Sequence, residues 1–199
     1  MIKDTLTMKP EELHEARTNP DFLEYLEVKE KEVMESRDIA GLYELLDSLL
    51  VLDLDEERVH NVYQEILKVA FDNIETRLKD EKKLSLDDDD IYFIRSFYEH
   101  AIEKWSMGNF KGAKELFFIL TQICEDEFLV EALNVHLIAC AKQSDMDEYY
   151  DENVADEQTY AEEKYGYFIL DFNFDKKEYL NNNLKLLQEQ FEELKHLLN

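Results

Sequence analysis

Four glycines and two prolines across 199 residues leave the chain little punctuation. Antiparallel sheets need frequent tight turns, and the favoured hairpin turns need glycine or asparagine at positive φ. That scarcity excludes a turn-rich β-protein and favours long helices joined by short polar loops. Two cysteines are too few for a disulfide framework; Cys124 and Cys140 fall on apolar faces of predicted helices and read as core thiols, which suits a reduced compartment. Basic residues are also in short supply, with 22 Lys+Arg against 48 Asp+Glu and a formal charge of -26. Such a surplus repels phosphate backbones and anionic headgroups, so neither nucleic acid nor a bare membrane is expected as a partner. No apolar run approaches the roughly 20 residues that span a bilayer, and no secretory signal opens the chain, so a cytoplasmic location is expected with no membrane insertion. G-x-S-x-G, phosphate-loop and Rossmann fingerprints are missing as well. An enzyme is therefore not expected, and no cofactor is implied.

Hydrophobic residues make up 45% of the chain, with 12 Phe and 11 Tyr, too apolar a composition for a disordered acidic tail. The expected fold is all-α: about eight helices in antiparallel hairpins, forming a single domain over residues 1–199 with an internal division near 80–88. Pro10–Arg17 is a short helix, and Asn19-Pro20-Asp21 restarts the chain into a helix through Phe22, Leu26 and Val33 to about Ser36. Ile39, Leu42, Leu45, Leu46, Leu49 and Leu50 line the next, closed by Asp53–Asp55. From Glu56 to Lys79 the apolar set Val59, Val62, Ile66, Ala70 and Ile74 recurs at three and four, ending the helical N-terminal half, residues 1–79. Asp87–Asp90 does not have the alternating ligands and central glycine of a calcium loop. Together with Ser85 it reads as a cap on the following helix, Ser85 pairing with Asp88 three residues on. In the C-terminal half, residues 89–199, predicted helices run from Ile91 to Gly108, Phe110 to Cys124, Phe128 to Lys142, Met146 to Lys164 and Lys176 to Leu198. Between the last two, Phe168, Leu170, Phe172 and Phe174 alternate at period two, the pattern of a short extended segment over 167–174.

Phe97 to Cys124 resembles a tetratricopeptide repeat. Ala101 stands at the small contact position, Gly108-Asn109-Phe110 at the interhelical turn, and Ala113 with Phe117 matches the A-x-x-x-F element. Gly108-Asn109 and Ser144-Asp145 lie about 36 residues apart, as do His100 and His136, close to one repeat period of about 34 residues. Within that family, Y-E-H-A-I-E-K-W-S-M-G-N-F-K-G-A-K-E-L-F-F-I-L-T-Q-I is similar to the first repeat of class II chaperones of type III secretion. The resemblance implies a bacterial, acidic, non-enzymatic protein that holds a segment of another protein in a helical groove, and a homodimer. It directs Arg95, Tyr98, Ile102 and Trp105 toward the concave, partner-binding side, a groove that the extended segment Tyr167 to Phe174 is expected to border or occupy in the free protein. The acid surplus favours a basic partner or one with an exposed apolar segment.

Two other readings compete. An acidic stoichiometric inhibitor, such as a toxin immunity protein or nucleic-acid mimic, would gather carboxylates from Asp87–Asp90 or Asp145–Asp156 into one patch. A di-iron helical enzyme is suggested by three Glu-x-x-His pairs, Glu11/His14, Glu57/His60 and Glu193/His196, the helical spacing of such sites. A Glu-rich chain generates that pattern readily, so no metal ligand and no catalytic residue is assigned. His100 and His136 lie on inward faces and are expected to hydrogen-bond within the core.

Overall fold

The computed structural model describes residues 10–79, 83–155 and 162–198. The fold is all-α, and among these residues it contains ten α-helices and no β-strand. Its contacts divide the chain into two compact units, one ending at Ile74 and the other beginning at Glu75.

The N-terminal unit contains α1 (Pro10–Thr18), α2 (Pro20–Ser36), α3 (Ile39–Val51) and most of α4 (Glu56–Lys79). Short polar side chains start its helices. Asn19 Oδ1 accepts from the backbone N–H groups of Asp21 and Phe22, with Pro20 in the first turn where a missing N–H costs nothing. Asp38 Oδ2 accepts from Gly41 N at 3.2 Å, and Asp55 Oδ1 from Glu57 N and Arg58 N. Gly41 is required by space: a Cβ there would come within 2.8 Å of both Asp38 Oδ2 and Val33 Cγ1. Leu42, Leu45 and Leu49 of α3 are buried with Leu26 and Val33 of α2 and Val62 and Ile66 of α4, whereas Leu50, expected on the same apolar face, is turned to solvent. Arg58 to Glu30 at 2.6 Å and Arg37 to Asp72 at 2.7 Å tie α2 and the residue that follows it to α4.

The C-terminal unit opens with backbone pairing. Leu84 donates its N–H to Ile123 O and accepts at its own carbonyl from Glu125 N. Next come α5 (Asp90–Ser106), α6 (Phe110–Ile123), α7 (Glu127–Ala141) and α8 (Met146–Asn153). The α5–α6 turn falls at Met107-Gly108-Asn109; Gly108 takes φ 71, and Asn109 Oδ1 accepts from Gly112 N to start α6. Ala101 and Ala113 are fully buried, as the close approach of two helices requires. A 3-10 turn (Glu163–Tyr167), an extended stretch, α9 (Lys176–Asn182), α10 (Leu184–Leu194) and a final 3-10 turn complete the unit.

Three local expectations need correction. Ser85 and Asp88 form no capping box. Ser85 Oγ accepts from Asp87 N, Asp90 Oδ2 accepts from Ser85 N, and the residue preceding α5, Asp89, makes no side-chain cap bond. The acidic helix expected to reach Lys164 stops at Asn153, because Val154 leaves the helix to pair with Phe172; residues 156–161 of that expected helix lie outside the described residues. The terminal helix is broken at Asn183, whose side-chain amide donates to Tyr179 O at 2.8 Å and so competes with the helical ladder.

Candidate functional site

Arg95, Tyr98 and Trp105 lie along one face of α5, and all three are buried, 6%, 3% and 2% exposed respectively, while Ile102 is half-buried. The period-two segment covers its Arg95 and Tyr98 end, through Tyr167, Phe168 and Ile169, whereas Trp105 is enclosed by Phe117, His136 and Tyr149 of the following helices. The segment is extended but forms no strand, making one isolated antiparallel bridge between Phe172 and Val154. Ala155 N donates to Asp171 O at 3.0 Å and Asn173 N to Asn153 O at 2.8 Å. Phe168 and Leu170 point inward and are buried, as alternation demands.

The residue between them is gripped by its main chain. Ile169 donates its N–H to Tyr98 Oη at 2.9 Å, and its carbonyl oxygen lies 3.2 Å from His136 Nε2 on α7. Tyr98 Oη and His136 Nε2 are themselves 3.3 Å apart. A carbonyl oxygen can only accept, so the neutral ring carries its hydrogen on Nε2. Nδ1 then faces the interior as a bare nitrogen, buried with no hydrogen-bond partner.

Aromatic rings enclose the imidazole. Phe117, Phe172, Tyr98 and Trp105 have ring centroids 5.2, 5.6, 5.8 and 5.9 Å from it. Burial therefore pushes the His136 pKa down to about 4, Lys176 adds to the depression, and the Ile169 carbonyl opposes it. Burial likewise raises the Tyr98 hydroxyl, so it stays protonated. Trp105 donates Nε1–H to Ser144 O and packs against Tyr149 at 5.3 Å.

Each end of the segment has its own anchor. At the start, Tyr165 Oη donates to Asp126 Oδ2 at 2.9 Å, and the Arg95 guanidinium lies 4.3 Å over the Tyr167 ring while its Nε donates to Glu99. Asp126 serves twice, since its Oδ1 also caps α7 by accepting from Leu129 N. At the far end Phe172 stacks on Phe174, and Phe174 on Tyr179 of α9. Lys176, at the start of α9, lays its ammonium 3.6 Å over the Phe128 ring, and burial lowers its pKa.

The arrangement holds an extended backbone; it does not present an activated nucleophile. Cys124 and Cys140 are buried, and burial raises both thiols, Cys124 to about 11. His14, His60 and His196, from the three Glu-x-x-His pairs, are all exposed, and among the described residues no three His, Cys, Asp or Glu side chains converge as metal ligands would. His100 Nδ1 lies 2.8 Å from Glu103 Oε2 on its own helix. The N-terminal unit has a shallow cleft lined by Glu27, Glu30, Lys31, Met34 and Arg58, where the guanidinium is already engaged by Glu30.

Sequence reasoning identified the α5 face and an inward His136 and expected the segment 167–174 to border or occupy that face, but it did not reach the main-chain bonds at Ile169. Nothing in a periodicity marks a residue whose backbone, and not its side chain, is recognised. No family model matches this chain, and no curated protein or solved structure does either.

Proposed function

We propose that this chain is a non-enzymatic protein-binding module, a tetratricopeptide-like adaptor or secretion-type chaperone. Its C-terminal unit would hold an extended segment of a partner protein, with Arg95, Tyr98, Ile102 and Trp105 on the binding side. The observation that supports this reading best is the Tyr98–His136 pair. Two side chains from different helices bond both the N–H and the C=O of one extended residue, which is how a groove recognises peptide backbone without regard to sequence. Buried aromatic walls supply affinity beside it, and the acid surplus steers basic partners toward the surface. The same reading implies a cytoplasmic location and accommodates a homodimer.

Panning a random peptide display library against the folded protein tests it. Enrichment of peptides that alternate bulky apolar residues, with affinity falling as salt rises, is the expected result. No enrichment over an unrelated acidic helical protein would overturn the proposal. The rival reading, an acidic inhibitor of a basic partner, finds support in the exposed carboxylates Asp145, Asp147, Glu148, Asp151 and Glu152 on and beside α8. It predicts salt-sensitive selection of basic peptides with no apolar alternation.

A further inference from the structure

The geometry points to Lys176 as a covalent modification site: an amine placed to condense with a small uncharged aldehyde and to hold the product as a charged imine. It does not depend on the protein-binding reading above.

Lys176 opens α9, and its ammonium lies 3.6 Å over the ring of Phe128 in the first turn of α7. Its Nζ is buried and has no hydrogen-bond partner. Lys177, one residue on, has the opposite setting: its side chain is 77% exposed and its Nζ lies 3.8 Å from Glu131. An ammonium carries three donors, and burying it with none of them engaged penalises the charged form. The groups around Lys176 pull in both directions. Glu131 and Asp126 of α7 and Asp171 of the extended segment favour the ammonium, and Lys177 disfavours it. His136, also of α7, is neutral above its pKa of about 4. Burial is the largest influence and the net shift is downward, so at neutral pH Lys176 offers more free amine than an exposed lysine does.

The surroundings select the electrophile. In condensation with an aldehyde, the amine lone pair attacks the carbonyl carbon and the resulting carbinolamine expels water. The ammonium and the aldehyde thereby become a protonated imine and one water molecule: the carbonyl oxygen leaves with two of the ammonium hydrogens, the third stays on nitrogen, and the positive charge is kept. That cation can rest over Phe128 beside the same three carboxylates, as the ammonium does now. Acyl transfer would instead give a neutral amide, leaving the ring face without its cation and the carboxylates without their counter-charge. Anionic carbonyl compounds are repelled by those carboxylates and by a chain of charge -26. Phe128 is 40% exposed, and Asp175 and Lys177 on either side of Lys176 are exposed, so the flexible lysine stem can meet the aldehyde at the ring edge and leave its substituent in solvent.

The test treats the folded wild-type chain with propanal and cyanoborohydride, whose hydride adds to the imine carbon and fixes the adduct as a secondary amine. Peptide mass spectrometry follows alkylation at each lysine, with Lys177 as the internal reference. At pH 7 Lys176 should be alkylated at least about threefold faster than Lys177, and the ratio should shrink toward pH 10 as both amines lose their protons. In concentrated urea the two should react alike. Equal or slower alkylation of Lys176 in the folded chain overturns the proposal, and so does a preference that persists unchanged in urea. A ratio that is constant with pH also overturns it, since that would report access alone. Glyoxylate, an anionic aldehyde, should show no preference for Lys176; a preference equal to that of propanal overturns the assignment to uncharged aldehydes.

Discussion

Trp105 Nε1 donates a 2.8 Å hydrogen bond to the carbonyl oxygen of Ser144, joining the last turn of α5 to the connection between α7 and α8. The indole thus closes one hairpin onto the next while its ring packs on Phe117 and Tyr149. Trp105→Phe should keep most of the packing and lose the bond, costing about 1–3 kcal/mol. Trp105→Ala adds a cavity and should cost about 3–5 kcal/mol. Chemical denaturation followed by circular dichroism measures both. Equal, small losses for the two variants would mean the ring is not a core element.

Stability should fall on acidification through the titration of His136. Its folded pKa of about 4 lies below the unfolded value of 6.5, so between these pH values the unfolded ring takes up a proton that the folded ring refuses. The contribution is complete above pH 6.5 and is lost as pH drops toward 4, up to about 3 kcal/mol. Carboxylates titrate over some of the same window, so the informative quantity is the difference between wild-type and His136→Phe stability profiles. That difference should vary with pH over this interval and be flat above it.

Tyr98→Phe removes the acceptor for Ile169 N–H and leaves the amide buried beside an apolar edge. The expected cost is about 1–3 kcal/mol. Amide exchange should quicken at Ile169 well before it does in α6 or α7; uniform acceleration across the unit would show that the hydroxyl stabilises the whole core and not the segment.

Gln143 follows α7 with φ 57, a left-handed conformation in which a side chain is strained. Gln143→Gly should relieve that strain and raise stability by about 0.5–1 kcal/mol, a small increase in the thermal midpoint. No change or a decrease would mean that the glutamine side chain makes a compensating contact.

Much of the fold was legible because its boundaries are written in short polar side chains. Asn19, Asp38, Asp55, Asn109, Asp126, Asp145 and Asp175 each accept from backbone N–H groups at a helix start, so some of the acid surplus is structural punctuation. The Gly108 turn and the small residues Ala101 and Ala113 were legible for a similar reason, since each satisfies a local steric demand. The break at Asn183 was harder to see: leucines keep their helical spacing across it, and the interruption comes from a side chain bonding its own backbone. Ser85 misled in the opposite way, for its hydroxyl satisfies a loop amide two residues on and leaves the helix start to others. The candidate site was least accessible. Tyr98, His136 and Ile169 belong to three separate elements, and only the packed structure brings a phenol and an imidazole to the two ends of one residue's main chain.

The pairing of Leu84 with Ile123 and Glu125 fixes where the C-terminal unit can be cut. It fastens the chain ahead of α5 to the exit of α6, so the hairpin between them is a closed loop with its ends tied together. A fragment beginning at Asp90 would keep both helices yet leave the Ile123 carbonyl and the Glu125 amide without the partners they have here. Any excised version intended to preserve the α5–α6 hairpin must therefore start upstream of Leu84.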